Sequence, residues 1–257
     1  MSAIVLDVET TGLVPEQDRV IELAIVDLSS GAQLFHSLFH PGRPIPPGIT
    51  AINGIRDEDV MSAHLFKDQA HRIMSIIADQ DAVIGHNVFF DKNMIHAELS
   101  RCDLAMEWPH LICTKRLWNH YESKDRRLMD AYKRFVKHDG FDQAHSAIAD
   151  TNACREVFLA QLKHFGLEGL DWEELIGDQS SWWGPSDHIV WDNGFLRINF
   201  GKNKGTHVHL LDRGYMRWIV AQDFPDHVKK ICDYMMHIAK MSITPEDLAS
   251  WARHQGL

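Results

Sequence analysis

The chain has no closely paired cysteines, no long apolar run and no surplus of positive charge. Its four cysteines, Cys102, Cys113, Cys154 and Cys232, are scattered without any C-x-x-C spacing. That spacing excludes a zinc ribbon and a disulfide-stapled scaffold, and it fits reduced, buried thiols in a cytoplasmic protein. No basic-then-apolar leader opens the sequence and no apolar stretch is long enough to cross a bilayer, so no membrane partner is expected. Basic residues number 26 against 36 acidic, a net charge of −10. This excludes a protein that coats nucleic acid through bulk positive charge. It does not exclude an enzyme that grips a few phosphates locally and binds metal through carboxylates. Repeats and low-complexity tracts are also missing.

With 257 residues, 45% of them hydrophobic, the chain can bury a core in one large or two small domains. Ala3 to Leu6 is aliphatic and rich in β-branched side chains, which predicts a buried strand running into Asp7-Val8-Glu9-Thr10-Thr11-Gly12. Asp7 and Glu9 stand two residues apart, and alternation along a strand turns both to one side. Two acids side by side in a core strand repel each other and resist desolvation unless a cation holds them. A divalent metal with oxygen ligands meets that need. Taken alone, the D-x-E also fits an edge strand with two solvated acids.

Arg19 to Leu28 and Gln33 to His40 read as two more strands joined by a turn at Ser29-Ser30-Gly31-Ala32, giving a three-stranded meander. Pro41, Pro44, Pro46 and Pro47 make residues 41–50 a surface loop. Helical spacing returns from Leu65 to Asp79. Ala82 to Asn87 is a short strand ending in a loop. Phe89-Phe90-Asp91 then opens a helix to about Arg101, with Phe90, Met94, Ile95 and Leu99 as its apolar stripe. Asp91 falls in the first turn, where negative charge suits the helix dipole. Residues 113–138, which include Lys115 and Arg116, hold eight basic against three acidic side chains. They read either as a solvated helix face or as a track for a phosphate backbone. Ser146 is an N-cap for a helix continuing to about His164, with Asp150 one turn inside and His145 just outside.

Residues 166–187 read as a glycine-rich linker with one helical turn between a domain at 1–165 and a small α+β module at 188–257. In that module His188 to Asp192 and Phe195 to Asn199 flank Asn193-Gly194, a type I′ hairpin signal. A basic turn with Lys202 and Lys204 leads to a third short strand, His207 to Leu211, and then to helices at Tyr215 to Gln222 and Val228 to Lys240. Lys202, Lys204 and Arg217 with Tyr215 and Trp218 form either a nucleic-acid contact or part of a packed small domain.

The Asp7-x-Glu9 strand, the Gly85-His86-Asn87-x-x-Phe90-Asp91 segment and the His145-x-Ala147-x-x-Asp150 segment resemble, in order and separation, the three motifs of the DEDDh exonucleases of the DnaQ-like superfamily. The segment from Gly48 to Val60 is similar to the threonine-glycine loop between the first two motifs. Ile198 to Ile219 is similar to a module at the end of exodeoxyribonuclease X. The resemblance implies an RNase H-like α/β fold, a mixed five-stranded sheet flanked by helices. It implies two magnesium ions, with manganese as substitute: Asp7 bridges both, Glu9 and Asp150 complete one shell, and Asp91 serves the other. His145 is then the general base that takes a proton from the attacking water. Backbone amides around Thr10, Thr11 and Gly12 hold the 3′-terminal nucleotide, and Leu13 packs on its base. Asn87 and Phe90 either contact the substrate or serve loop bonding and helix packing. The implied activity is 3′→5′ hydrolysis of single-stranded or frayed DNA to nucleoside 5′-monophosphates. Two alternatives stay open: an exoribonuclease or short-oligonucleotide nuclease, and a non-catalytic nucleic-acid- or polymerase-binding accessory factor. No polymerase-binding peptide is evident, and a homodimer is left open.

Overall fold

The computed structural model describes residues 2–122, 127–142, 144–176, 187–192, 195–222, 224–238, 244, 248, 251 and 252. The chain divides into two compact units, Met1–Ile176 and Gly177–Leu257. Along the first unit run β1 (Ala3–Thr10), β2 (Val20–Asp27), β3 (Gln33–Leu38), α1 (Pro47–Asn53), α2 (Asp57–Val60) and α3 (Phe66–Ala78). They are followed by β4 (Ala82–Gly85), α4 (Val88–Ser100), β5 (His110–Cys113), α5 (Thr114–Glu122), α6 (Leu128–Phe135), α7 (Ala147–Phe165) and α8 (Trp172–Ile176). The five strands form one mixed sheet in the order β3-β2-β1-β4-β5, with β1 antiparallel to β2 and parallel to β4. This is the RNase H-like α/β fold.

Both faces of the sheet are covered, which is why β1 is apolar without interruption over its first half. Ile4, Leu6 and Val8 point to one face and pack with Phe66, Ile73 and Ile77 of α3 and Met94, Ile95 and Leu99 of α4. Ala3 and Val5 point to the other and pack with Ile84, Ile112, and Cys154 and Phe158 of α7. Gly166 ends α7 at φ +69°, a left-handed conformation that glycine takes without penalty. The Leu167 N–H then reaches back to the Leu162 carbonyl at 2.8 Å.

Two expected elements differ. Residues 41–50 are not loop throughout, because α1 begins at Pro47. Proline fits a first helical turn, where its missing N–H has no partner to lose. His207 to Leu211 is not a strand: a single bridge joins His207 to Arg197, and Val208–Leu210 then winds into a 3₁₀ turn. Val208 and Leu211 are both buried while Leu210 is 66% exposed. That spacing of three suits a 3₁₀ turn, whereas a strand would send Val208 and Leu211 to opposite faces. The four-residue β5 lacked a readable pattern, since only Ile112 and Cys113 of it are buried.

In the second unit β6 (Ile189–Asp192) and β7 (Phe195–Ile198) pair antiparallel. The Asn193-Gly194 turn itself lies outside the described residues, as do Lys124 and Arg126 of the basic stretch. α9 (Arg213–Ala221) starts at Asp212, whose carboxylate accepts the N–H groups of Gly214 and Tyr215, and α10 (Asp226–Ile238) follows. Ile189, Ile198, Met216, Ile219, Val228, Ile231 and Cys232 close a core of their own.

An ion pair with a buried carboxylate ties α4 to the start of β2. Glu98, 1% exposed, takes Arg19 Nε at 2.8 Å, Arg19 Nη2 at 3.0 Å and the Val20 N–H at 3.0 Å. Glu98→Ala leaves a half-buried arginine and the buried Val20 N–H without their carboxylate, so unfolding free energy should fall by about 1–3 kcal/mol. Urea denaturation checks this, and an unchanged midpoint would remove the tether from the account.

Candidate active site

Alternation carries the file of Ala3 and Val5 on to Asp7 and Glu9, so both carboxylates lie on the α7 side of β1 just beyond the apolar packing. Asp91 comes from the first turn of α4 and is 3% exposed. Its Oδ1 accepts the N–H of Val8, the residue between the two β1 acids, at 3.1 Å. Asn87 makes the bend from β4 into α4 at φ +82°, a left-handed conformation that asparagine tolerates. Asp150 lies in the first turn of α7. The His145 N–H is shared between its two carboxylate oxygens, at 3.3 Å each. His145 itself sits at φ +69°. One ligand atom each from Glu9, His145 and Asp150 falls within 4.8 Å of the others.

These acids raise one another's pKa. Burial pushes Asp7 well above the usual carboxylate range, and the charges of Asp91, Asp150, Glu9 and Glu22 add to it. Burial also takes Glu9 to about 8, against a hydrogen bond from Asn53 that lowers it, with Asp150, Glu22 and Asp91 raising it. Burial takes Asp91 to about 7 despite the Val8 N–H, and Asp150 to about 6 despite the His145 N–H. Carboxylates so placed stay ionised together only with a cation among them. The four acids offer oxygen donors with no thiolate among them, which fits a hard divalent ion.

The expected substrate residues divide. Gly12 is required sterically, since a Cβ there would stand 2.4 Å from Asp18 Oδ2. Leu13 is 74% exposed, an apolar side chain standing in solvent four residues after Glu9. Thr10 and Thr11 are buried; Thr10 Oγ1 bonds the Gly12 carbonyl at 2.6 Å. The Thr11 N–H is already given to the Arg19 carbonyl at 2.9 Å, so that amide is not free for a ligand. Phe90 is half-buried against the core, while Asn87 is exposed. Lys115 and Arg116 open α5 half-buried, and the Arg116 guanidinium lies 3.8 Å from the Phe89 ring centre. Lys202 and Lys204 belong to the second unit.

Two residues escaped the sequence reading. Asn53, at the end of α1, donates Nδ2 to Glu9 Oε2 at 3.2 Å. Glu22 faces Glu9 across the β1–β2 pair and is 6% exposed. Its Oε2 accepts the Ala147 N–H at 3.0 Å, and its Oε1 meets His36 Nε2 at 2.7 Å. Ser146 holds the N-cap position without a side-chain cap bond; Glu22 caps α7 from 125 residues away. The signal was present in the sequence, as a lone carboxylate inside an apolar strand.

Fold and site together define an α/β nuclease of the RNase H-like class. The chain belongs to the exonuclease family, whose model matches residues 4–158, and within it to the DnaQ-like 3′–5′ exonucleases. It is 32% identical over 166 residues to DNA polymerase III subunit epsilon of Rickettsia prowazekii, covering 61% of this chain and 72% of that one. It is 36% identical over 164 residues to the same subunit of Treponema pallidum, covering 62% and 75%. The match to DNA polymerase III PolC-type of Bacillus subtilis, 30% identical over 182 residues, spans 68% of this chain but 12% of that protein. In fold it is similar to Exonuclease X in complex with 5′ overhanging duplex DNA, with TM-score 0.51 and 22% identity over 68% of this chain and 99% of that one. The zinc-bound E. coli ExoI–ssDNA complex gives TM-score 0.57 and 17% identity over 86% and 59%.

The raised carboxylates fix a pH dependence. Their folded pKa values, about 6 to about 8, lie above the unfolded carboxylate range, so the folded state holds the extra protons. In chelator, stability should therefore fall as pH rises from about 4 to about 8, and a divalent ion should flatten the fall. Thermal melts across that range decide, and a rise in chelator would contradict the raised values. Separately, Glu22→Ala should cut turnover about 10-fold or more by loosening the end of α7, while Glu22→Gln, which keeps an acceptor for Ala147, restores most of it. Equal turnover in both variants would rule out the cap as the reason.

Proposed function

We propose that this chain hydrolyses phosphodiester bonds stepwise from 3′ ends of single-stranded or frayed DNA, releasing nucleoside 5′-monophosphates. The observation that carries the reading is the convergence of Asp7, Glu9, Asp91 and Asp150 with His145 at the end of β1. Bound at these carboxylates, two divalent ions, magnesium or in its place manganese, supply positive charge to the attacking and leaving oxygens. Asp7, Glu9, Asp91 and Asp150 would hold the ions, with Asp7, whose carboxyl feels the charge of all three others, the acid that would serve both. His145, exposed on its loop but anchored through its backbone to Asp150, takes the proton of the attacking water. Leu13 packs against the terminal base. Asn87 and the half-buried Phe90 flank the strand on the α4 side, and Lys115 with Arg116 lies along its phosphates.

DNA is favoured over RNA because relatives named for DNA polymerase III cover more than half of the chain and both matched structures are named as DNA complexes. A polymerase partner and a homodimer form no part of the reading. A cytoplasmic location does, supported by four free thiols. Among the described residues no helix is long and apolar enough to cross a membrane.

An end-labelled digestion panel tests the proposal with single-stranded DNA, duplex DNA, RNA and short oligomers, each with magnesium and with chelator. Mononucleotides should appear from the 3′ end of single-stranded DNA in magnesium only. His145→Ala should lower turnover by about 10²–10⁴ while sparing metal binding. Faster release from RNA would move the assignment to an exoribonuclease, and no release from any strand would move it to a binding factor.

A further inference from the structure

The second unit carries an aromatic run that its own core does not consume. His188 contacts Phe200 at 5.3 Å between ring centres, Phe200 contacts Phe224 at 4.7 Å, and Phe224 contacts Trp218 at 5.6 Å. Trp218 then stacks on Tyr215 at 5.5 Å with 18° between the planes, and Lys202 Nζ lies 6.0 Å from the Tyr215 ring centre. The small core beneath is already closed by Ile198, Met216, Ile219, Val228 and Ile231. The rings pack against its outside, partly buried, and Trp218 is left 48% exposed. Trp218, between Phe224 and Tyr215 in the series, keeps about half of its surface in water, and an exposed large ring of this kind is a usual mark of a contact surface.

The charge around the run has one sign. Between Phe195 and Gln222 there are five cationic residues and one carboxylate, in a chain whose net charge is −10. The carboxylate, Asp212, is held by the backbone N–H groups of α9. Arg197 is paired with Asp192, but among the described residues no carboxylate pairs with Lys202, Lys204, Arg213 or Arg217, all exposed. A protein this acidic repels polyanions in general, so an unpaired cationic patch is a local exception with a polyanion as its natural complement. Rings beside free cations suit unpaired bases and their phosphates together, and a duplex offers the phosphates without the ring faces.

We infer that the second unit binds single-stranded nucleic acid on this face, with Trp218 and Tyr215 stacking on bases and Lys202, Lys204 and Arg217 neutralising phosphates. The inference extends the proposed exonuclease reading by giving the strand a contact outside the site of hydrolysis. Because binding is measured without metal, its failure and the failure of that reading are told apart.

The test is fluorescence anisotropy of the full chain with labelled oligothymidine of about 16 nucleotides, in chelator, over a series of salt concentrations. Trp218→Ala should weaken binding about 10-fold. Lys202→Ala with Lys204→Ala, an exposed pair whose removal leaves the core untouched, should weaken it too and reduce the salt slope by about one. Thermal melts confirm that each variant is folded, and Trp218→Phe, which keeps a ring, should recover most of the affinity. Wild-type affinity in either the Trp218→Ala or the double lysine variant overturns the inference. So does an equal loss of affinity for a blunt duplex, which would mark the face as a site for phosphates alone.

Discussion

Desolvation of four clustered carboxylates, with like charge added to it, is the constraint on which the rest of this structure depends. Asp7, Glu9, Asp91 and Asp150 come from one strand and two helices, and burial with like charge holds their protons on well above the ordinary carboxylate range. No packing contact offsets such an arrangement. It persists because the sheet and helices around it are stable enough to impose it, and because a divalent cation can relieve it.

The fold imposes it with a few specific attachments. Period-two alternation sends one file of β1 into the α7 interface and ends that file in the two acids. Asp91 is fixed to the backbone between them through the Val8 N–H. Glu22, with His36 behind it, fixes the N-terminal end of α7 and thereby Asp150 and the His145 loop. Glu98 does the corresponding work between α4 and β2 through Arg19 and Val20. In each case a buried carboxylate is satisfied by backbone N–H groups, so the same chemistry that builds the site also builds its support.

Asp7, Glu9, Asp91, His145 and Asp150 stood out in the sequence through the order and separation of three motifs, since Asp91 and Asp150 taken singly are ordinary helix-start acids. The supporting residues were harder to read. Glu22 was visible as an acid in an apolar strand, but its partner Ala147 lies 125 residues away and leaves no local trace. Asn53 reaches Glu9 only because α1 forms, and the prolines before it suggested a loop instead. The strand expected at His207 to Leu211 failed for a related reason: its apolar residues recur at three rather than two, over too few positions to separate the periods.

The exonuclease family model ends at residue 158, and the curated relatives cover about two thirds of the chain, 61% for the epsilon subunit of Rickettsia prowazekii. The second unit's contribution therefore rests on its own surface. For the site itself the most direct measurement is a count of bound Mn²⁺ by electron paramagnetic resonance, in the wild type and in Asp7→Asn. The account predicts two ions bound by the wild type and at most one by the variant, since the amide would lose the negative charge and one of the two oxygens that Asp7 would offer them. An equal count in both proteins, or no bound ion in the wild type, would contradict it.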